Sequence, residues 1–219
     1  MKLRFLHTLA ALAAALTFTA QPMLAADDET GFVSVFNGMD FTGWAGPIDQ
    51  YEIKDGAIVC KPGKGGTIYT KDEYADYIVR LEIKLPPGGN NGLAIRYPGK
   101  GDTAYVGMCE LQVLDDSSPK YAKLDPRQYH GSAYGMVPAK RGHQKPVGEW
   151  NVEEVTVKGS TLKVILNGTV ILDTDLSKVD PATYMAKSKH PGVTRTTGYF
   201  GFAGHSDPVQ FRNIRIKKL

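Results

Sequence analysis

Short strand-like runs recur along almost the whole chain, and this feature constrains the fold most. The runs are rich in β-branched, aliphatic and aromatic residues and are separated by glycine, proline, asparagine and aspartate. Helical patterns are nearly absent after the N-terminal segment. This spacing is typical of a β-sandwich or barrel, and the lack of a repeat or linker predicts one domain. The predicted strands are Val33–Phe36, Tyr51–Lys54, Ala57–Lys61, Thr67–Thr70, Tyr77–Leu85, Gly92–Tyr97, Tyr105–Leu114, Ser132–Tyr134, Glu149–Lys158, Thr161–Leu166, Thr169–Asp173, Gly198–Ala203 and Val209–Lys217.

Turn residues predict how neighbouring strands pair. Asn167-Gly168 and Asp55-Gly56 each separate two strand-like runs, and such dipeptides favour type I′ hairpins because both central residues need positive φ. Asn167 also begins a glycosylation sequon, but the tight hairpin explains it without a sugar. Pro86-Pro87-Gly88-Gly89 predicts a further hairpin between Tyr77–Leu85 and Gly92–Tyr97.

The N-terminal segment has the pattern of a secretory signal peptide. Lys2 and Arg4 precede an apolar run from Leu9 to Ala20, and small residues follow at Ala25 and Ala26. The run is too short for a membrane anchor. We therefore expect residues 1–25 to be removed, residues 26–219 to form one domain, and the protein to be exported, either periplasmic or secreted.

The charge of the chain limits the classes of partner that it can bind. Loss of Lys2 and Arg4 lowers the formal charge from +3 to +1, and no basic run follows, which argues against nucleic acid and against an anionic membrane surface. Nothing in the sequence indicates an oligomer, and a monomer is assumed.

Cys60 and Cys109 both lie in the exported part, so a disulfide and two buried thiols both stay open.

Side-chain alternation predicts a polar face opposite an aliphatic one. In the run Tyr77–Leu85 the aliphatic residues share one parity, and Glu82 has the other. Arg96, Glu110 and Gln112 occupy the corresponding polar parity in the next two predicted strands. Carboxylate, amide and guanidinium groups on neighbouring strands indicate a binding face, although a solvated outer face needs no function.

Glu110 and Gln112 are the sharpest chemical feature. Two residues apart on a strand, they would lie about 7 Å apart on one face. Asp115 has the opposite parity and joins them only if the strand bulges or ends there. Two carboxylates of this kind could serve as acid and base in glycoside cleavage, but the same pattern also occurs in inert strands.

Other side chains add candidates. His205 ends a predicted strand beside a glycine, where functional groups often project. Trp44 and Trp150 could stack on sugars or lie in the core. The chain has no zinc-type spacing of histidines or cysteines. An oxygen-rich set with Glu110 and His205 could hold a divalent cation such as calcium or magnesium, and no other cofactor is indicated.

Seven stretches together resemble the 3-keto-disaccharide hydrolase domain family, whose fold is a jelly roll of the concanavalin-like lectin/glucanase type. They occur in the family's order over nearly all of residues 26–219. The stretches are 35–44, 51–56, 90–96, 110–115, 148–151, 166–168, and 204–205 followed by 209–216.

The resemblance implies an all-β, two-sheet antiparallel jelly-roll sandwich and an enzyme that binds a small carbohydrate. It implies Glu110 as general base or metal ligand, His205 as acid, base or ligand, and Arg96 and Gln112 as stabilisers of an enolate oxygen. The full set implied to line the groove, with Trp150 beside it, is Glu82, Arg96, Glu110, Gln112, Asp115, Tyr134, Asn151 and His205.

The implied reaction is cleavage of 3-keto-glycosides. A ketone at C3 acidifies the proton on C2, so a base can remove it, the C1 substituent can leave, and water can add to the product. Two alternatives remain open at this point: a non-catalytic carbohydrate-binding module on the same fold, and a hydrolase of ordinary glycosides.

Overall fold

A computed structural model describes residues 29–185 and 190–219. The predicted signal peptide lies outside the described residues, and its removal stays a prediction, as does the domain boundary at residue 26. Residues Gly31–Leu219 pack as one compact unit. None of the helices in the described part is long and apolar enough to cross a membrane.

The described residues form thirteen strands in two antiparallel sheets, together with one α-helical turn, so the predicted jelly-roll sandwich is confirmed. In chain order the elements are β1 (Val33–Ser34), β2 (Trp44–Ala45), β3 (Tyr51–Lys54), β4 (Ala57–Cys60), β5 (Gly65–Tyr74), β6 (Tyr77–Lys84), β7 (Asn90–Tyr97), α1 (Thr103–Val106), β8 (Cys109–Leu114), β9 (Trp150–Lys158), β10 (Thr161–Leu166), β11 (Thr169–Asp175), β12 (Gly198–His205) and β13 (Gln210–Lys218). Five 3₁₀ turns lie at Ile48–Gln50, Pro119–Tyr121, Pro126–Gln128, Leu176–Lys178 and Pro181–Thr183.

The larger sheet has the order β11-β10-β9-β6-β13-β4-β3, with β1 added beside β13. The smaller sheet has the order β2-β5-β12-β7-β8. The inner faces of the two sheets meet in an aliphatic and aromatic core. At its centre the ring of Phe202 stacks on Phe211 at a centroid distance of 3.9 Å and on Trp44 at 5.3 Å.

Two of the three predicted hairpins are confirmed. Asp55 and Gly56 have φ of 51° and 72°, and Asn167 and Gly168 have φ of 49° and 85°, as type I′ turns require. The side chain of Asn167 donates hydrogen bonds within the protein, to the side-chain oxygen of Asn151 and the carbonyl of His143.

The third predicted hairpin is wrong, and this error matters for the site. Strands β6 and β7 do not pair, because the loop Pro86-Pro87-Gly88-Gly89 carries the chain from the larger sheet to the smaller one. Residues predicted to share one face therefore lie on two different sheets.

Both cysteines are buried in the core as free thiols. Cys60 lies in β4 of the larger sheet and Cys109 in β8 of the smaller one. Of the two possibilities left open by the sequence, the structure has the buried thiols.

Candidate functional site

Strand β8 supplies the centre of the site. Its alternation is as predicted: Cys109, Leu111 and Val113 lie in the core, while Glu110 and Gln112 project from the outer face of the smaller sheet. Both polar side chains are nevertheless buried, at 3% and 6% exposure, because loops cover this part of the face. Burial of a carboxylate costs free energy, so its surroundings indicate what it does.

A polar pocket of ≈ 260 Å³ lies over this part of the smaller sheet. Of the predicted site residues it contains Glu110, Gln112, Tyr134 and His205. The residues that line it are Asn90, Asp102, Ala104, Tyr105, Glu110, Gln112, Leu114, Tyr121, Leu124, Gln128, Tyr134 and His205.

Small residues on β7 make room for Glu110. Glu110 is the direct cross-strand partner of Ala94, and Gln112 is the partner of Gly92. The Glu110 side chain leans diagonally over Gly92, where an added Cβ would lie 1.9 Å from Oε1. Glycine at this position therefore allows the carboxylate to lie low against the sheet.

Glu110 and His205 form the charged centre of the pocket. Oε1 of Glu110 lies 3.8 Å from Nε2 of His205, an ion-pair distance that is longer than a hydrogen bond. Burial raises the pKa of Glu110, and the neighbouring imidazole opposes this shift only in part. The Glu110 carboxylate in turn raises the pKa of His205. Each partner therefore stabilises the charged form of the other.

Two amide side chains fix other parts of the wall. Nε2 of Gln112 donates to Oδ1 of Asn90 at 2.8 Å, across the β7–β8 pair. Nε2 of Gln128 donates to the hydroxyl of Tyr134 at 3.1 Å. These contacts orient polar groups toward the cavity before a ligand arrives.

Helix α1 closes one side of the pocket. Its N-cap is Asp102, whose side chain accepts a hydrogen bond from the backbone N–H of Ala104 at 3.1 Å. Thr103 is hydrogen-bonded through its hydroxyl to Thr67 of β5. The short helix thereby places Asp102 and Tyr105 beside Glu110.

Glu82 was predicted to line the groove, and this is wrong. It projects from β6 on the outer face of the larger sheet, where its carboxylate accepts hydrogen bonds from Arg212 at 2.7–2.8 Å and from Asn213. The misplacement follows from the crossing loop between β6 and β7.

Arg96 was predicted to stabilise an oxygen in the groove, and this is also wrong. Strand β7 bulges here, since Ala94 pairs with Gly201 and Tyr97 with Tyr199, which leaves one extra residue on β7. Arg96 has φ of 49° and turns inward, with a residue exposure of 1%. Its guanidinium donates to the carbonyls of residues 75, 159 and 195 and to Asp76, so it holds loops together.

Asp115 and Asn151 lie away from the pocket, along a second cavity of ≈ 570 Å³. Asp115 accepts hydrogen bonds from the backbone of Gly88 and from Ser117. Asn151 accepts from the backbone of Lys145 and from Asn167. Both side chains stabilise turns, and the predicted pairing of Glu110 with Asp115 as two catalytic carboxylates is not formed.

Neither tryptophan lines the pocket. Trp44 is a core residue at 2% exposure. Trp150 begins β9 in the larger sheet, with Lys84 and Arg212 within 4.8 Å and 4.0 Å of its ring centroid. Trp150 therefore belongs with Glu82 on the outer face of that sheet, and its predicted place beside the groove is wrong.

The donor set does not fit a metal centre. Within residues 29–185 and 190–219, no group of three or more histidine, cysteine, aspartate or glutamate side chains is placed to hold a cation. Glu110 and His205 alone supply one carboxylate and one ring nitrogen, short of the roughly 6–8 oxygen ligands that calcium takes.

Sequence reasoning missed five pocket residues that carry polar side-chain groups: Asn90, Asp102, Tyr105, Tyr121 and Gln128. Asn90 has the same parity as Gly92 and could have been found once β7 and β8 were paired. Asp102 precedes Thr103-Ala104-Tyr105 as an aspartate N-cap would, but the run from Tyr105 had been predicted as a strand. For Gln128, in a loop, the sequence carries no comparable signal.

The comparison with known families decides where this chain belongs. Residues 31–217 match the model of the 3-keto-alpha-glucoside-1,2-lyase-like domain. The chain belongs to this family. The match covers both sheets and the pocket, and it confirms the resemblance seen in the sequence.

Similar proteins agree with this assignment. A protein of Bacteroides thetaiotaomicron named 3-keto-disaccharide hydrolase is 29% identical, over 88% of this chain and 80% of its own. A crystal structure from Parabacteroides distasonis described as a putative glycosyl hydrolase is 26% identical, has a TM-score of 0.75, and matches over 90% of this chain and 98% of its own. The VIP36 exoplasmic/lumenal domain shares the fold, with a TM-score of 0.54 at 13% identity over 86% of this chain and 90% of its own.

Proposed function

We propose that the protein cleaves the glycosidic bond of 3-keto-glycosides, disaccharides among them, by proton abstraction, elimination and hydration. One observation carries the proposal. The carboxylate of Glu110 is buried, has the imidazole of His205 beside it at 3.8 Å, and faces a polar pocket. The name of the Bacteroides thetaiotaomicron relative supports a 3-keto-disaccharide as substrate.

A buried carboxylate with one imidazole beside it and a pocket in front of it suits a general base. Its pKa is raised, so it binds a proton more readily than an exposed glutamate would, as a general base must. In the proposal Glu110 takes the proton from C2 of the substrate. The electron pair of the C2–H bond forms a C2–C3 double bond, and the C3 carbonyl oxygen becomes an enolate oxygen.

His205 acts next in the proposed reaction. The enolate re-forms the C3 carbonyl, a C1–C2 double bond forms, and the bond from C1 to the leaving oxygen breaks. The His205 imidazolium donates its proton to that oxygen, since the Glu110 carboxylate beside it raises the pKa of His205 and favours the protonated form. Its side chain is 49% exposed, so it can reach a leaving group at the mouth of the pocket.

Hydration completes the hydrolysis. Water adds at C1 of the unsaturated keto sugar, and a proton returns to C2, with the same two side chains serving in reversed roles. The amide of Gln112, held by Asn90, is the remaining predicted stabiliser of the C3 oxygen now that Arg96 is excluded. Tyr134 is proposed to contact the sugar from the pocket wall.

The test is incubation of residues 26–219 with a 3-keto-disaccharide and with the same disaccharide unoxidised, each with and without a chelator. We expect release of the monosaccharides from the keto substrate alone, with no effect of the chelator. Turnover of the unoxidised sugar would instead identify an ordinary glycosidase. Binding of either sugar without turnover would identify a carbohydrate-binding module.

Two matched variants test the role of the carboxylate. Glu110→Gln removes the proposed base and should lower kcat by at least about 100-fold, a typical contribution of general base catalysis. Glu82→Gln makes the same change on the larger sheet and should leave kcat unchanged. Full activity of Glu110→Gln would contradict the mechanism.

Export is part of the proposal, on the strength of the N-terminal sequence pattern. N-terminal sequencing of the protein recovered from a periplasmic or secreted fraction should begin near residue 26. A chain that keeps Met1 in the cytoplasmic fraction would contradict export.

A further inference from the structure

The hydroxyl of Tyr105 is a hydrogen-bonding group that the pocket leaves free. Tyr105 is half-buried and lines the pocket together with Glu110. Its hydroxyl makes no hydrogen bond to a described residue and is not sealed from solvent, so it is open to a ligand. Burial raises the pKa of Tyr105, with Glu110 and Asp102 among the nearby charges that add to the shift, so its phenol stays protonated as a donor.

The segment from His190 to Arg195 fixes the helix that carries Tyr105. A four-residue helix is too short to be stable alone. Gly192 donates its backbone N–H to the carbonyl of Tyr105 at 3.2 Å, and Nε of Arg195 donates to the carbonyl of Val106 at 2.8 Å. A Cβ at Gly192 would lie 2.0 Å from the Val106 oxygen, so this close approach requires glycine.

His190 holds the ring of Tyr105 from behind. The imidazole meets Tyr105 edge-on at a centroid distance of 5.1 Å and meets Tyr184 in the same way at 5.2 Å. The residue is 1% exposed, and neither ring nitrogen has a partner among the described residues. Burial lowers the pKa of His190, and the backbone of Ala104 opposes this shift only in part, so the neutral ring is favoured. His190 therefore contributes to this cluster through the packing of its ring against Tyr105 and Tyr184.

We infer that Tyr105 is a catalytic residue that donates a hydrogen bond to the C3 oxygen of the substrate, and that His190 is a positioning residue for it. The inference rests on the proposed function. When Glu110 removes the C2 proton, negative charge develops on the C3 oxygen, and a preorganised donor in the same pocket stabilises that charge. Tyr105 thereby takes the role that the sequence had given to Arg96, whose guanidinium is occupied elsewhere.

Steady-state kinetics on a 3-keto-disaccharide tests Tyr105. Tyr105→Phe keeps the ring and removes the donor, so kcat should fall about 100-fold or more, as for loss of one oxyanion donor. KM should change by less than about 3-fold, because the bond is strongest in the transition state. Tyr199→Phe, which removes an exposed hydroxyl outside the pocket, is the matched control and should leave both constants unchanged.

Exchange of the C2 hydrogen separates this inference from the proposed function. In deuterated water the wild-type protein should exchange the C2 proton of a 3-keto-glycoside, followed by NMR, and Tyr105→Phe should exchange it about 100-fold more slowly. If the wild type cleaves and exchanges while Tyr105→Phe retains both rates, the role of Tyr105 is overturned and the proposed function stands. If the wild type does neither, the proposed function fails and this role fails with it.

Two substitutions, one that keeps a ring at position 190 and one that removes it, test the positioning role of His190. The ring nitrogens of His190 make no hydrogen bond to a described residue, so His190→Phe should retain kcat within about 3-fold and keep the pH profile unchanged. His190→Ala removes the ring and should lower kcat at least about 10-fold. Circular dichroism checks that both variants fold like the wild type. Loss of activity in His190→Phe with normal folding, or full activity in His190→Ala, would overturn the positioning role.

Discussion

The side chain of Glu110 lies directly over Gly92, so close that a Cβ at position 92 would overlap Oε1 at 1.9 Å. The two residues are diagonal neighbours on β8 and β7, since Gly92 is paired with Gln112 and Ala94 with Glu110. A carboxylate laid flat over a glycine is sheltered from water on one side and open to the pocket on the other. This relationship explains how a residue at 3% exposure can still meet a substrate.

We expect Gly92→Ala to lower kcat at least about 10-fold without preventing folding, because a displacement of about 1 Å of a catalytic group costs large factors in rate. Gly92 does not need positive φ, so alanine itself fits the strand. The measurement is kcat on a 3-keto-disaccharide, with thermal unfolding as the check on the fold. Unchanged kcat would show that Glu110 does not depend on this close contact.

Activity should follow a bell-shaped dependence on pH. Glu110 must be ionised, so activity falls as pH falls through a pKa that lies above the ordinary glutamate value of 4.5. His205 must be protonated, so activity falls as pH rises through a pKa above the ordinary histidine value of 6.5. In His205→Gln the loss at high pH should disappear together with most of the activity. An acid limb below pH 4 in the wild type would contradict a buried Glu110 base.

The sequence predicted most strands because each has a clear alternation or a turn dipeptide at its end. The turn at Asn167-Gly168 and the alternation in β8 are local features, and both are confirmed. The run from Tyr105 was predicted as strand throughout, but Thr103–Val106 is helical, since Asp102 caps it and Thr103 contacts another strand. A tertiary contact decides the outcome there, and residue pattern alone does not contain it.

The sequence predicted the positions of the site residues only in part, and the reason is physical. Alternation tells which residues of one strand share a face, and so it placed Glu110 and Gln112 correctly. It does not tell which sheet the next strand joins, and so it placed Glu82 with them although β6 belongs to the other sheet. Alternation also does not predict a bulge. The single extra residue on β7 turns Arg96 away from the pocket.

Arg96→Lys should destabilise the fold by about 2–4 kcal/mol, because a lysine cannot satisfy several separate carbonyl acceptors at once and would leave some of them buried and unpaired. The native guanidinium reaches three carbonyl oxygens and Asp76. Urea denaturation followed by circular dichroism measures the free energy of unfolding. The matched control is Arg212→Lys on the outer face of the larger sheet, where the partly exposed pair with Glu82 should cost less than about 1 kcal/mol. Equal losses in the two variants would contradict a structural role particular to Arg96.

A buried His130–Glu153 pair joins the two sheets below the pocket wall. Nε2 of His130 lies 2.9 Å from Oε2 of Glu153, and the two side chains are each 1% exposed. Nδ1 accepts a hydrogen bond from the backbone N–H of Leu114 at the end of β8, so Nε2 carries the proton that is donated to Glu153 of β9.

Removal of either His130 or Glu153 alone should lower the free energy of unfolding more than removal of both side chains. His130→Leu leaves a buried carboxylate without its donor and should lower the free energy of unfolding by about 3–5 kcal/mol. The double variant His130→Leu with Glu153→Leu removes the uncompensated charge and should recover part of that loss, although the N–H of Leu114 still lacks its acceptor. Urea denaturation of both variants and of Glu153→Leu completes the double-mutant cycle. A double variant as unstable as the sum of the two single changes would show that the pair is not energetically coupled, because the cycle would then contain no interaction energy.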